Sequence, residues 1–169
     1  IETTGAVMNI KDICMACSRV VAVAFGCEDY VTNLQGKHDL VGDSIFTARS
    51  LIALSARACG IQPIDTVHIK VHDLDDLERN LVISKKLGFE GMLVLNPKEL
   101  ELVHRYFSPT NEEVEWAAEM ITLSNEAIHA GKGVAVKDNK FIGPPMVKMA
   151  NNILQKNELV RNADKNIKK

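Results

Sequence analysis

The sequence has no marked excess of charge of either sign and no long apolar run. Its 169 residues carry 20 lysines and arginines against 22 aspartates and glutamates, a net charge of -2. Such a balance predicts no basic face for a nucleic acid. No apolar run approaches the roughly 20 residues of a membrane span, and no signal peptide is recognisable. We therefore expect no nucleic-acid or membrane partner and a cytoplasmic protein, or one of an organellar matrix if the source is eukaryotic.

Four cysteines in a chain of this size do not form a disulfide scaffold, and the spacings typical of a metal or phosphate site are missing. The C-x-x-C formed by Cys14 and Cys17 has no second such pair and no H-x-x-x-H at the spacing of a zinc finger. His68 and His72 are predicted on a strand and its exit, where a spacing of four does not bring them together. There is no G-x-x-x-x-G-K-[ST] or G-x-G-x-x-G loop. We expect reduced cysteines and scattered surface or hydrogen-bonded histidines, His38 included.

What the chain does have is a regular alternation of short apolar runs with amphipathic ones. The pattern predicts strands over residues 20–25, 64–71 and 91–97, and helices over 5–18, 44–59, 74–87 and 98–106. A loop over residues 33–42 leads to the second helix, which Asp43 or Ser44 is expected to cap and Gly60 to terminate. Strands and helices that alternate in this way predict an α/β fold with parallel pairing.

The last third of the chain breaks this alternation. Residues 108–131 predict a long helix, which begins either with Pro109 at its first position or with a capping box of Thr110 and Glu113. Two short extended runs then flank a turn at Asp138-Asn139, and a final helix begins near Pro144. We therefore predict two parts, residues 1–107 and a helix–hairpin–helix extension over residues 108–169.

The strand count is too low for a closed barrel. The sequence supplies three complete strands and the end of another at Ile1, whereas an eight-stranded (β/α)₈ barrel needs about 250 residues. The chain also begins without methionine, so we expect that an N-terminal part is missing or was cleaved. Alone it would be at most half a barrel with open sheet edges, inactive until a partner chain covers them.

Carboxylates follow two neighbouring strands. Glu2 follows the first, and Asp29 follows the strand in "VVAVAFGCEDY". Adjacent parallel strands lie about 4.8 Å apart, so both acids would stand on one rim, where two carboxylates suit Mg²⁺. Gly26 would let a ligand approach the backbone, whose free amides could hold a carboxylate. The alternative is that Glu28 and Asp29 are ordinary solvated loop acids.

Six segments occur in an order and spacing that resemble the citrate lyase beta-subunit-like family. They are "IETTGAVMNI", "FGCEDYVTNLQG", "ARSLIALSARACGIQPIDTV", "KKLGFEGMLVLNPKEL", "FSPTNEEVEWA" and "KFIGPPMVKMANNIL". The family comprises CoA-ester lyases of the HpcH/HpaI aldolase superfamily, and the resemblance runs from Ile1 to about Leu154. It implies a TIM barrel with a C-terminal lid, usually assembled as a trimer or a multiple of one. This chain matches the second half, from the end of strand five through strands six to eight.

The resemblance also implies a site and a reaction. Glu2 and Asp29 match the family's Mg²⁺ ligands, and the amides around Gly26, Glu28 and Asp29 match those that hold the carboxylate of a small 2-oxo acid. The substrate would be the CoA thioester of a small hydroxy acid, resembling malyl-, citramalyl- or citryl-CoA. Its carbon–carbon bond would break to give a 2-oxo acid and the enolate of an acyl-CoA, with Mg²⁺ as Lewis acid. The reverse reaction is a Claisen-type condensation.

The sequence departs from the family pattern in three ways. Gly143 of "FIGPP" stands where many members have the aspartate of "ID-x-P", which handles the enolate proton from a neighbouring subunit. Asn96-Pro97 replaces the frequent His-Pro. The family's substrate-binding arginine and basic CoA contacts belong to the half that this chain does not match. We therefore assign no catalytic residue, although Asp138 lies near Gly143.

Two other functions stay open at this stage. The first is a catalytically impaired barrel that serves as a ligand-binding or assembly subunit. The second is a metal-dependent lyase with a different substrate, either a free hydroxy-oxo acid or a thioester of an acyl carrier protein.

Overall fold

The chain forms two compact units. The computed structural model describes residues 1–38 and 42–167, so positions 39–41 of the predicted loop lie outside the described residues. The units are Ile1–Phe107 and Ser108–Lys169. No helix in the described ranges is both long and apolar enough to cross a bilayer.

The first unit is a three-stranded parallel sheet with helices between its strands. The strand order is β1-β2-β3, with Val23 beside Pro63 and Ile64 beside Gly91. Because all three strands run in one direction, their carboxyl ends share one edge of the sheet. The elements are α1 Thr4–Met8, α2 Ile10–Met15, β1 Ala22–Ala24, α3 Cys27–Leu34, α4 Asp43–Ala58, β2 Gln62–Asp65, α5 Leu74–Leu87, β3 Gly91–Met92, a 3₁₀ turn Pro97–Glu99 and α6 Leu100–Phe107.

Ile1 lies beside the end of β1 as the next strand of a parallel sheet would. Its amino group donates to the carbonyl oxygen of Ala24 at 2.7 Å, and its carbonyl oxygen accepts from the amide of Gly26 at 2.9 Å. This is the hydrogen-bond pattern of parallel pairing. Glu2 therefore leaves the sheet at the same edge as the residues that follow β1.

The core of the first unit lies between the sheet and its helices. Helix α4 buries Ala48, Ile52 and Ala56, which are spaced four residues apart and so form one face. Phe25 at the end of β1 and Leu77 of α5 are completely buried in the same cluster. Apolar burial of this kind is the main stabilising contribution to a fold.

Several predicted boundaries in this unit are wrong. The helix predicted over 5–18 is two helices, interrupted at Asn9, whose side chain donates to the Gly5 carbonyl at 2.8 Å. Helix α4 has Gly42 at its N-cap rather than Asp43 or Ser44, while Gly60, with φ of +71°, follows its last turn as predicted. In such an αL position glycine avoids the steric cost of a side chain.

The second strand is shorter than the pattern predicts and ends at Asp65. There the Asp65 carboxylate accepts the amide of Thr66 at 2.8 Å, and this amide is not used in a strand ladder. The partner strand β3 is only two residues long. His68 and His72 therefore lie after the strand, so their predicted placement on a strand and its exit is wrong.

The second unit is a helix, a hairpin and a helix. Its elements are α7 Asn111–His129, β4 Ala135–Lys137, β5 Lys140–Ile142 and α8 Pro144–Ile167, with the strands antiparallel. Asp138 and Asn139 form the turn with φ of +48° and +59°, as two-residue hairpin loops require. Its core contains Ala117, Met120, Ile142 and Ala150, with Trp116 packed against them.

A capping box begins α7. The Thr110 hydroxyl accepts the amide of Glu113 at 3.1 Å, and the Glu113 carboxylate accepts the amide of Thr110 at 2.9 Å. The alternative start, with Pro109 at the first helical position, is therefore wrong. Both capping bonds are local, so the sequence could specify them without any tertiary contact.

Candidate metal and substrate site

Glu2 lies directly over Gly26 at the carboxyl edge of the sheet. A Cβ atom added at Gly26 would come within 2.5 Å of Glu2 Cγ and 2.8 Å of Glu2 Oε1. No side chain fits in so small a space unless Glu2 moves. Gly26 therefore allows the close approach of the Glu2 carboxylate, whereas the sequence had suggested the approach of a ligand.

Asp29 and Glu28 belong to the first turn of α3 and not to a loop. Helix α3 begins at Cys27, immediately after Gly26, and both acids follow within that turn. Acidic side chains are favourable there because the helix dipole is positive at its N-terminus. Glu2 and Asp29 are thus both placed at the end of α3 that faces the carboxyl edge of β1. The interpretation of Glu28 and Asp29 as solvated loop acids is wrong in this respect, although both are exposed.

The amides at the start of α3 have different surroundings. The amide of Cys27 donates to the Thr66 hydroxyl at 3.1 Å, a contact that joins α3 to the residue after β2. The next two amides, of Glu28 and Asp29, lie in the first turn, where a helix has no carbonyl partner of its own for them. They are positioned to bind an anion such as a carboxylate.

The Glu28 side chain contacts His38 and Cys27. His38 Nε2 lies 2.7 Å from Glu28 Oε1, and the Cys27 thiol lies 3.6 Å from the same oxygen. Burial raises the pKa of Cys27 to about 11, and the charge of Glu28 acts in the same direction. The thiol is therefore protonated at neutral pH in the structure described.

A buried ion pair stabilises the carboxyl edge of the sheet at the end of β2. The Arg49 guanidinium of α4 binds the Asp65 carboxylate at the end of β2, with Nε 3.1 and 3.2 Å from the two oxygens and Nη2 also in contact. Both side chains are almost fully buried. Arg49 also lies 6.0 Å from the centre of the Phe89 ring. The pair fixes the backbone at Asp65, and thereby Thr66, against α4.

A second polar cluster, formed around His68 and Asp76, follows the end of β2 along the chain. His68 Nε2 is 3.0 Å from Asp76, and both residues are buried. The hydrogen bond from His68 is the main reason why the pKa of Asp76 falls to about 2, and bonds from Arg79 and Lys70 contribute further. His68, Asp76 and Lys70 line a cavity of about 290 Å³ together with Cys27 and His38. The cavity is therefore lined by several polar side chains.

The residues at the three remaining positions, Asn96, Gly143 and Asp138, contact neighbouring parts of the fold or lie at a turn. Asn96 caps the 3₁₀ turn by accepting the amide of Lys98 at 3.0 Å, and its side chain donates to Val71. A Cβ atom at Gly143 would overlap the Phe141 ring, with Cδ1 at 3.1 Å. An aspartate cannot occupy position 143 while Phe141 lies there. Asp138 lies at the tip of the hairpin.

Sequence reasoning missed the contacts that depend on distant residues. It set His38 aside as a scattered histidine, and it did not find the contact of Arg49 with Asp65, sixteen residues away. A buried arginine on the apolar face of a predicted helix requires an acidic partner. That requirement was the one signal that could have indicated the Arg49–Asp65 pair.

The chain belongs to the HpcH/HpaI aldolase/citrate lyase family, whose family model matches residues 1–97. Citrate lyase subunit beta of Haemophilus influenzae is 34% identical over 156 residues, which is 92% of this chain and 54% of that protein. The mitochondrial citramalyl-CoA lyase of Rattus norvegicus is 32% identical over 162 residues, 91% of this chain and 48% of that protein. The chain thus spans about half the length of these relatives, both of which are named as lyases.

Solved structures have the same fold. The protein CitE from Mycobacterium tuberculosis, in complex with magnesium, acetoacetate and coenzyme A, has a TM-score of 0.77 at 23% identity. That comparison covers 94% of this chain and 59% of the other. The citrate lyase beta subunit from the same organism, complexed with oxaloacetate and magnesium, has a TM-score of 0.59 at 25% identity, over 64% of this chain and 51% of the other.

Proposed function

We propose that this chain provides the metal and 2-oxo-acid part of a magnesium-dependent lyase that cleaves a carbon–carbon bond in the CoA thioester of a small hydroxy acid. The substrate would resemble malyl-, citramalyl- or citryl-CoA. The observation that carries the proposal is the Glu2 carboxylate packed on Gly26, at the start of the helix whose first turn holds Asp29. Membership of the family and the names of the two lyases support the reaction class.

The fold proposed for the whole protein is a TIM barrel of which residues 1–107 form the second half. The parallel sheet and the pairing of Ile1 beside β1 support this arrangement, because the strands of such a barrel are all parallel. Residues 108–169 would then be the lid and oligomerisation extension, in a trimer or a multiple of one. Assembly would also cover the open edges of the sheet.

Glu2 and Asp29 are the residues that would hold Mg²⁺. They fit this ion because both offer hard carboxylate oxygens, and Mg²⁺ is commonly bound through one or two carboxylates while it keeps several waters. The citrate lyase beta subunit complexed with oxaloacetate and magnesium supports the choice of Mg²⁺ as the ion. When bound, Mg²⁺ would supply a Lewis acid for the substrate oxygen that becomes a carbonyl.

The first turn of α3 would bind the carboxylate of the 2-oxo acid. The amides of Glu28 and Asp29 point out of the helix N-terminus, where the helix dipole favours negative charge. Gly26 keeps this position open to Glu2, and Thr66 holds the start of the helix through Cys27. These residues bind and orient; they carry no proton in the reaction.

The group that handles the enolate proton is left unassigned. Glycine has no titratable atom, and the Phe141 ring fills the space beside Gly143. This observation favours a second candidate function, a barrel that binds the ligand but has lost catalysis. Turnover decides between the two, because only the lyase releases a 2-oxo acid from a hydroxyacyl-CoA.

The metal site is tested by calorimetric titration of the full-length protein with Mg²⁺. Gly26→Ala forces the Glu2 carboxylate to move, although the backbone at Gly26, with φ of -105°, accepts alanine. We expect Gly26→Ala to weaken Mg²⁺ binding by about 10-fold or more, as the loss of an orienting contact typically does. Glu2→Gln and Asp29→Asn should weaken it further.

Gly5→Ala is the matched control, because a Cβ atom there meets nothing within 4 Å. Its Mg²⁺ affinity should equal that of the wild type. Unchanged affinity in both Glu2→Gln and Asp29→Asn would overturn the site.

The reaction itself is tested with two substrates, by comparing the release of 2-oxo acid from a hydroxyacyl-CoA and from a free hydroxy-oxo acid. Release from the thioester alone supports the proposal, whereas release from the free acid alone indicates an aldolase instead. A protein that binds Mg²⁺ but turns over neither of these substrates nor an acyl-carrier-protein thioester would be a ligand-binding subunit without catalytic activity.

A further inference from the structure

Three side chains with different metal-binding atoms meet beside the start of α3. They are the thiol of Cys27, the carboxylate of Glu28 and the imidazole of His38, and their ligand atoms all lie within 4.8 Å of one another. The shortest separation joins His38 Nε2 to Glu28 Oε1 at 2.7 Å, and the Cys27 sulfur lies 3.6 Å from the same oxygen. None of the three is assigned to Mg²⁺ in the proposed site.

The fold brings these residues together although His38 is ten positions away from Glu28 in the sequence. Helix α3 ends at Leu34, and the next residue, Gln35, adopts a left-handed conformation with φ of +59°. The amide of Gly36 then bonds back to the carbonyl oxygen of Val31 at 3.1 Å. This reverses the chain, so that the next residues run back along the helix. His38 thereby reaches the first turn, where Cys27 and Glu28 lie.

The donor set distinguishes this cluster from the pair of Glu2 and Asp29. Mg²⁺ is a hard ion that takes oxygen ligands. Sulfur, nitrogen and one carboxylate oxygen instead suit a borderline ion such as Zn²⁺ or Co²⁺. Zn²⁺ lies about 2.0–2.3 Å from such atoms, so neighbouring ligand atoms of a tetrahedral site are roughly 3.3–3.8 Å apart.

Two of the three separations need only small changes to reach that geometry, and the third, between the Cys27 sulfur and His38, is at most 4.8 Å. The 3.6 Å between sulfur and carboxylate already agrees with it, while the shorter contact of His38 with Glu28 must open by less than about 1 Å. Both of these side chains are partly exposed, 31% for His38 and 54% for Glu28, and so have room to move. Cys27 is buried and fixes the position of the sulfur.

We propose that Cys27, Glu28 and His38 form a second metal site, which binds one Zn²⁺ or chemically similar transition-metal ion. Three protein ligands leave a fourth tetrahedral position for water or a small ligand. Cys27 and His38 also line the cavity of about 290 Å³, which gives that position the space it needs. This inference does not rest on the proposed lyase function.

The test is a titration of the full-length protein with Co²⁺, in excess Mg²⁺ and without thiol reductants. A Co²⁺ ion bound by cysteine gives a thiolate-to-metal charge-transfer absorption, which neither Glu2 nor Asp29 can produce. We expect one equivalent of Co²⁺ to give this absorption and Zn²⁺ to abolish it. Cys27→Ser should lose it, and His38→Gln should weaken Co²⁺ binding by about 10-fold or more.

Two matched variants control for adventitious binding. Cys17→Ser removes an exposed cysteine and His104→Gln an exposed histidine, both remote from the cluster in sequence; neither should change the absorption or the affinity. If Cys27→Ser does not fold, His38→Gln and Glu28→Gln decide, because both side chains are partly exposed. Glu2→Gln should leave the absorption intact, which separates this site from the Mg²⁺ site.

The proposal is overturned if wild-type protein gives no charge-transfer absorption. It is equally overturned if folded Cys27→Ser retains the absorption, or if Cys17→Ser loses it. In those cases the contact of His38 with Glu28 is only an ion pair.

Discussion

The two units of this molecule differ in the kinds of contact that stabilise each of them internally. In residues 108–169, local bonds set where elements begin and turn: the capping box of Thr110 and Glu113 begins one helix, and a two-residue turn joins the hairpin. In residues 1–107, the positions of the element ends also depend on polar contacts with distant partners. There Ile1 pairs with β1, and Arg49 binds Asp65 across two elements.

The difference has a functional consequence. Every group assigned to the two candidate metal sites lies in the first unit, where strands of two to four residues end and helices begin. The positions of these groups depend on buried contacts beneath them, because such short strands provide few ladder hydrogen bonds. Three substitutions, at Asp65, Asp76 and Thr110, test this contrast between long-range and local stabilisation.

The largest effect is expected from Asp65→Ala. The change leaves the Arg49 guanidinium buried without a partner, and breaking such a pair costs about 3–5 kcal/mol. Urea unfolding of the full-length protein, followed by circular dichroism, measures the loss. Mg²⁺ affinity should also fall, since Thr66 and the start of α3 lose their support.

Arg105→Ala is the matched control for Asp65→Ala. It breaks an ion pair with Glu78 in which both side chains are substantially exposed, and such pairs contribute at most about 1 kcal/mol. A cost for Asp65→Ala as small as that of Arg105→Ala would contradict the importance of the buried pair.

An intermediate effect is expected for Asp76, and it depends on pH. The pKa of its carboxyl falls from 3.8 to about 2 in the folded protein. Above about pH 5 the carboxylate is ionised in both states, and its partners stabilise the fold fully. As the pH falls from about 5 to about 2, the unfolded state takes up the proton first, so this stability is lost.

The measurement is the urea midpoint between pH 6 and pH 3. Asp76→Asn should lower the midpoint at pH 6 and make it less dependent on pH. Asp75→Asn, an exposed residue in the same turn of α5, should keep the wild-type dependence. If the urea midpoint changes equally with pH in the wild type and in Asp76→Asn, Asp76 is not the cause of that pH dependence.

The smallest effect is expected from Thr110→Ala in the second unit. It removes the side-chain acceptor of the capping box, which typically costs about 1 kcal/mol. Thr122→Ala is the control on the same helix, because that hydroxyl only bonds back to Ala118 within the helix, and alanine is the better helix former there. If Thr122→Ala is as destabilising as Thr110→Ala, the cap is not the cause.

Much of the fold was predictable because its signals are local. The alternation of apolar runs predicted the three parallel strands, and the turn residues predicted the hairpin. Boundaries were less predictable where a side chain competes with the backbone. Asn9 interrupts a helix that the pattern extends through it, and the strand predicted to residue 71 ends at Asp65, whose carboxylate takes the next amide.

Part of the candidate site was also predictable. The order of the strands placed Glu2 and Asp29 at one edge, because carboxyl ends of parallel strands share it. The reason for Gly26 was not predictable, since it depends on where the Glu2 side chain packs. The same holds for Gly143, whose neighbour Phe141 is known only from the conformation of the hairpin.

Local patterns in the sequence predict the α/β class, the types of structure in the two units and the shared sheet edge at which Glu2 and Asp29 lie. These follow from periodicity, turn chemistry and strand order, which act over a few residues. Which distant groups meet depends on the folded structure: Arg49 contacts Asp65, His68 contacts Asp76, and His38 lies with Cys27 and Glu28. Such meetings are set by the packing of whole elements against one another, and no local pattern encodes them.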